Sequence, residues 1–257
     1  MDLGEDWDNV GLLLGSSQQT VTSVMTCLTL TPDVAQEAVD RNVQMIVSHH
    51  PILFRAIKRL TNETSEGRML LQLIAAGIGV YSPHTCYDSA SGGINQQLAE
   101  RLGLSDIRPV RPLKSTDSTS AVSTGAEPRG SGRYGDLPKA ISLGDVIAIV
   151  KRGLGISSTN YVGDLSKPVR RIGIACGAAA EFMGDAKRLG CDVLLTGEAR
   201  FHACLEARTL EIALVLPGHY ATERPAMETL AGILTERFSE LSVFASEAES
   251  DPVEWSV

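Results

Sequence analysis

The sequence predicts an α/β protein built from two similar α/β lobes with largely parallel or mixed sheets. Three observations predict it. Strand-length apolar runs alternate with helical periodicity in both halves, and the strand–helix–strand pattern of the first half returns in the second. Histidines and acids also recur just past the carboxyl ends of the expected strands.

Taken in order, "VTSVMTCLTL" reads as a strand and "TPDVAQEAVDRN" as a helix, with Thr31 able to cap it and Pro32 at its first position. "VQMIVS" is the next strand, "SEGRMLLQLIAAG" a helix ending at Gly77, and "IGVYS" a third strand. "GGINQQLAERLG" is a helix closed by Gly103. Between Lys114 and Arg133, 12 of 20 residues are Ser, Thr, Gly or Pro, which predicts a linker or surface loop. Order resumes in "ISLGDVIAIVKRGLG", a helix with Ser142 as its cap. The expected organisation is a first lobe over 1–113, a linker over 114–136 and a second lobe over 137–257.

The second lobe repeats the first. In "VRRIGIACGAAAEFMGDAKRLGCDVLLTGE" a shift of 149 residues places Cys176 on Cys27 and Glu198 on His49. Each half then carries an apolar strand followed by proline and histidine: His84 stands four residues before Asp88, and His219 four before Glu223. This pattern predicts an internal duplication.

Composition narrows the function. The chain is 43% hydrophobic and 21% charged, the balance of an ordinary globular protein. A net charge of −8 with scattered Lys and Arg argues against a nucleic-acid face; the densest basic cluster, "RAIKR", reads as solvated surface. No apolar run is long enough to span a bilayer, and no signal peptide is expected. Five cysteines without C-x-x-C spacing, three of them among apolar or small neighbours as buried thiols are, predict a reducing cytoplasm without a disulfide framework.

Open α/β sheets bind ligands outside the carboxyl ends of their strands. His49, His50, His84 and Asp88 of the first half fall at such places, as do His219 and Glu223 of the second. Imidazole with carboxylate and no thiolate suits borderline divalent ions such as zinc, iron, manganese, cobalt or nickel. Adjacent histidines on an extended backbone point to opposite sides, so each would hold one of two neighbouring ions, with a carboxylate such as Glu223 able to bridge them. Taken alone, a His-His pair beside a strand is more often a hydrogen-bonded core or loop feature. Convergence with the acids favours the metal.

The motifs "EDWDNVGLLLG", "SHHPILF", "YSPHTCYD", "GSGRYGD", "LLTGEARFHA" and "PGHYATE" stand in the order of the Nif-three-like family, which the whole chain resembles. Bacterial members are labelled type-two homologues of GTP cyclohydrolase I. The resemblance implies two α/β lobes around a dinuclear metal site, and a ring-shaped homohexamer. It implies His49, His50, Asp88, His219 and Glu223 as ligands, with Glu223 bridging two divalent ions. Family members usually carry a further helix before "WDNVG", whereas here only six residues precede Trp7, and the inserted domain of some members is expected to be absent.

The remaining positions are expected to play lesser parts. His84 is expected beside the ligands as a proton carrier near Asp88, the alternative being a structural hydrogen-bonder. Glu198 and His202 of "TGEARFH" either line the cleft or are structural, and Glu198 is a second candidate for managing protons. Asp8 and Asn9 either reach the site or form a turn. Arg133, in its glycine-rich setting, is read as part of a flexible connection rather than a phosphate cradle. Cys86 is expected to be a bystander, and Trp7 and Trp255 packing anchors.

The leading expectation is a metal-dependent hydrolase of a nucleotide-like or phosphoester substrate, with GTP ring opening implied by the family label alone. The alternative is a non-catalytic metal-binding, metal-delivery or scaffold protein. Neither reading calls for nucleic acid or membrane as a partner.

Overall fold

Contacts sort the chain into two units, each assembled from separate stretches of sequence. The first holds residues 1–87 and 224–252, the second 88–223 and 253–257. The structure, a computed structural model, describes residues 3–113 and 129–255. Most of the expected linker, 114–128, lies outside the described residues.

The first unit begins with β1 (Gly11–Leu14) and β2 (Ser23–Cys27), followed by α1 (Pro32–Asp40). The Thr31 hydroxyl accepts the N–H of Val34, so α1 starts where a capping side chain and a proline at the first position coincide. Next come β3 (Met45–Ser48), α2 (Ser65–Ala75) capped by Thr64, and β4 (Gly79–Ser82). The short helix α3 (His84–Ser89) follows β4 directly.

The second unit continues with α4 (Ile94–Arg101), β5 (Ser105–Arg108), and the two-residue strands β6 (Arg111–Pro112) and β7 (Gly130–Ser131). After them run the long strand β8 (Arg133–Ser142) and α5 (Leu143–Leu154), which the Ser142 hydroxyl caps. Then come β9 (Asn160–Val162), β10 (Pro168–Ile174), α6 (Met183–Arg188), β11 (Val193–Leu195), α7 (Phe201–Thr209), β12 (Ala213–Leu216) and α8 (His219–Glu223). The chain returns to the first unit for α9 (Pro225–Arg237) and β13 (Ser242–Ala245).

The first sheet runs β1-β4-β3-β2-β13, with β1 antiparallel to β4 and the other pairings parallel. The second runs β5-β8-β10-β11-β12-β9, with β10, β11 and β12 parallel and β9 antiparallel to β12. The two correspond strand for strand: β1-β4-β3-β2 matches β9-β12-β11-β10 in order and direction, and α3 and α8 follow matching strands. That correspondence supports the internal repeat. The sheets differ at the far edge, where β13 lies parallel to β2 but β8 antiparallel to β10.

Side-chain alternation builds the cores. In the first unit Met25, Cys27, Ile46 and Val80 pack with Val34, Ala35 and Ala38 of α1 and Leu70 and Leu73 of α2. In the second, Val193, Leu195, Ala213 and Val215 pack with Leu143, Val146 and Val150 of α5, while Leu194 and Leu214 meet Met183, Ala186 and Ala207 of α6 and α7.

Two expectations are corrected. Arg133 does not sit in a flexible connection. It opens β8, is fully buried, and donates to the carbonyls of Gly130, Gly132 and Ala90 and to Gln96 Oε1. Its guanidinium is committed to the fold, as a charged group without access to water must be. Trp7 is not a packing anchor, because it is 63% exposed.

Candidate metal centre

In the first unit, β2, β3 and β4 end side by side and the residues just past those ends form one cluster. The N–H of His49 donates to Cys27 O and that of His50 to Leu28 O, so parallel pairing continues one step beyond β3 and fixes both backbones. Carbonyls are held as well: Ser82 Oγ donates to His49 O at 2.8 Å and Ser48 Oγ to His50 O at 2.8 Å. His49 is fully buried. Its ring centroid lies 5.3 Å from that of His50 and 5.3 Å from that of His84, and the His50 and His84 rings are 5.9 Å apart. Three of the five histidines thus meet in one place.

Two neighbours orient these rings. Thr29 Oγ1 lies 2.7 Å from His50 Nδ1. Asp8 Oδ1 lies 2.7 Å from His84 Nδ1, while its other oxygen accepts the Thr85 hydroxyl at 2.5 Å and the Thr85 N–H at 3.2 Å. Burial alone would raise the Asp8 pKa, but the bonds from Thr85 and His84 outweigh it and hold the carboxyl below its usual range. An ionised Asp8 on Nδ1 keeps the proton there and leaves Nε2 as the basic nitrogen. His84 has a φ of 26°, in the left-handed region that a non-glycine residue enters at a cost, and the Asp8–Thr85 contacts hold the turn in place.

In the second unit the acids gather around His219. The H-x-x-x-E spacing lies on α8, so one helical turn brings His219 Nε2 to 3.0 Å from Glu223 Oε2. Glu198 Oε1 lies 3.0 Å from the other ring nitrogen, Nδ1. The bond to Glu223, aided by Glu198, raises the His219 pKa to about 9 against the opposing effect of burial. Asp88 accepts from Cys176 Sγ at 3.4 Å, and Asn95 ties the two by accepting the Cys176 N–H and donating to Asp88 O. Burial first, then the charges of Asp88 and Glu223, push the Cys176 pKa well up, so this sulfur is a thiol that donates to Asp88.

The residues present fit a cation. A Cβ on Gly177 would come 2.3 Å from Glu223 Oε1 and 3.2 Å from His219 Nε2, so only glycine leaves that space open beside the carboxylate. Asp88 and Glu223 both act on Cys176, and Glu198 adds a third carboxylate at His219, so negative charge gathers where a cation would balance it. Imidazole and carboxylate with a protonated thiol is a donor set for borderline divalent metals.

Within the units, His49, His50 and His84 come together in the first, and Asp88, His219, Glu223 and Glu198 in the second. His202 joins neither group; it is exposed on α7, its ring 5.8 Å from that of Phe201. Thr29 and Cys176 were not singled out for the site from the sequence. Both follow ends of parallel strands, the positional signal that marked the histidines.

These features define a two-unit α/β protein with clustered imidazoles and carboxylates past its strand ends. The family described as Duf34/NIF3 (NGG1p interacting factor 3) matches residues 1–252, and the chain belongs to it. It is 32% identical to the GTP cyclohydrolase 1 type 2 homolog of Clostridium perfringens, over 99% of this chain and 94% of that one. It is 30% identical to NIF3-like protein 1 of Drosophila melanogaster, over 97% and 82%. Among solved structures, the Bacillus cereus protein related to NIF3 has a TM-score of 0.89 at 21% identity, covering 99% of this chain and 94% of that one. Staphylococcus aureus protein SA1388 has a TM-score of 0.87 at 26% identity, with the same coverage. Among the described residues no helix is long and apolar enough to cross a membrane.

Proposed function

We propose that this chain is a dinuclear metal protein acting as a hydrolase on a nucleotide-like or phosphoester substrate. His49, His50 and Glu223, a group able to hold a metal ion, form the nucleus of its site. Asp88 and His219 would complete the ligand set, with Glu223 the carboxylate available to both ions. The two acids sit where the chain crosses between units, Asp88 after Tyr87 and Glu223 before Arg224.

Bound divalent ions would polarise the bond under attack and lower the pKa of a water toward neutrality. The chain supplies the proton handling. His84, with Nδ1 held by ionised Asp8 and its ring 5.3 Å from that of His49 and 5.9 Å from that of His50, would act as general base through its other nitrogen. Glu198 acts through His219, orienting its ring by the bond to Nδ1.

The Asp8–His84 pair carries the catalytic reading, because an imidazole whose Nδ1 is held by an ionised carboxylate beside the ligands is placed to move a proton. The test is metal content and turnover of nucleotides and phosphoesters by wild type and His84→Ala. The variant is expected to keep most of its metal and lose about 10²-fold or more in rate, the scale of a proton-transfer residue. Loss of metal on substitution would make His84 a ligand. Absence of turnover in a metal-loaded wild type would leave a metal-delivery protein. The cytoplasmic location and the homohexamer implied by the family belong to the same proposal, and the hexamer is checked by the mass of the assembly in solution.

A further inference from the structure

A cavity of about 530 Å³ lies wholly within the first unit, lined in part by His50, Thr29, Ile52, Phe54, Arg55 and Glu66. That volume lies in the range, about 300–1,000 Å³, of sites for small organic ligands. Its wall is built at a cost. Leu53 has a φ of 56°, left-handed for a branched apolar residue, and Asn9 Nδ2 holds that turn by donating to Leu53 O at 3.1 Å. Strain fixed by a distant side chain is characteristic of a shaped binding wall.

The chemistry around the cavity selects a ligand. Phe54 is 52% exposed although it lies edge-on to Trp7, itself 63% exposed, with ring centroids 6.1 Å apart. Trp7 is in turn edge-on to His84, at 6.1 Å. The exposed face of Phe54 is a stacking surface beside the histidine cluster, and Trp7, at 74° to it, stands at its edge. Arg55 is exposed and followed by Lys58 and Arg59, and no acid stands between Asp40 and Glu63 in a chain of net charge −8. This local cationic stretch suits an anion. Glu66, the acid of the lining, can accept from a ring N–H.

Resting on the hydrolase reading, we propose that this cavity is the substrate subsite and takes a planar nitrogenous ring joined to a phosphate. The phosphate lies against Arg55, the ring over Phe54 with Trp7 at its edge, and an N–H edge faces Glu66. The basic stretch is then a recognition element and not a solvated surface.

The test titrates the full chain with adenosine 5′-monophosphate, adenosine and inorganic phosphate by calorimetry, with metal content measured on the same samples. The mononucleotide should bind at least about tenfold tighter than either half alone. Arg55→Ala and Phe54→Ala should each weaken it by about tenfold, the loss of one charged hydrogen bond or one stacking face. Lys151→Ala, on α5 in the second unit, should leave it unchanged. Equal binding of phosphate alone, insensitivity to Arg55→Ala and Phe54→Ala, or no binding by metal-loaded wild type would each overturn the proposal. Mononucleotide binding by protein that takes up no metal would uphold the subsite while the metal reading fails.

Discussion

At the scale of single residues, Gly177 states the requirement of the second-unit acids most plainly. It sits at a φ of +66°, and a methyl group there would meet Glu223 Oε1 at 2.3 Å. Gly177→Ala should therefore destabilise the protein by about 1–2 kcal/mol for the left-handed backbone, and displace Glu223 enough to reduce metal content. Thermal unfolding and elemental analysis on one preparation check both, and an unchanged metal content would show that the Glu223 position is not critical. The histidines are legible in the sequence because they recur with acids past strand ends, where a His-His pair alone reads as a core or loop feature. For Asp8 the sequence allows two roles, because its contacts with His84 and Thr85 join residues 76 and 77 positions apart, which no local pattern encodes. Cys176 looked like any buried thiol, and its tie to Asp88 through Asn95 appears only once the chain has folded.

At the scale of elements, α1 does more than cover its sheet. Glu37 accepts from Ser246 Oγ, from the N–H groups of Glu247 and Ala248 and from Arg41, and so fastens the segment that follows β13. Burial alone would raise its pKa, but these donors outweigh it and hold Glu37 below its usual range. A depressed folded pKa gives stability that is complete above the unfolded value of 4.5 and is lost as pH falls through the folded one. Glu37→Gln should cost about 1–3 kcal/mol at pH 7, and the gap to wild type should close in acid. Denaturant unfolding at pH 7 and pH 3 measures it; a gap independent of pH would show that the charge of Glu37 is not what fastens the segment. Helix α1 was readable from Thr31, Pro32 and its apolar spacing. Strand β8 was not, because it opens inside a glycine-rich run where the buried guanidinium of Arg133 supplies the order that propensity does not.

At the scale of the whole molecule, the chain is a repeated α/β plan, and the repeat was visible as the recurrence of strand–helix–strand and H-x-x-x-acid. What the repeat did not announce is that the first unit is completed by the last part of the chain, through α9 and β13. Within that unit Glu249 accepts the N–H groups of Leu28 and Thr29 and pairs with Arg224 Nε at 2.8 Å, both side chains nearly buried. Glu249→Ala would remove this partner and the acceptor of two N–H groups while Glu228 still pairs with Arg224 Nη1 at 2.6 Å, and should cost about 1–3 kcal/mol, read as a fall in the unfolding midpoint. A change below about 1 kcal/mol would mean the pair is not structural, since exposed pairs reach no more than that. The central claim is that His49 and His50 serve separate ions which Glu223 bridges, and metal stoichiometry tests it most directly. Elemental analysis of wild type, His49→Ala, His50→Ala and Glu223→Gln, each reloaded with metal, should give about two ions per chain, about one for either histidine variant, and a loss of both for Glu223→Gln. Wild type that takes up no metal, or Glu223→Gln with its full complement, would contradict the account.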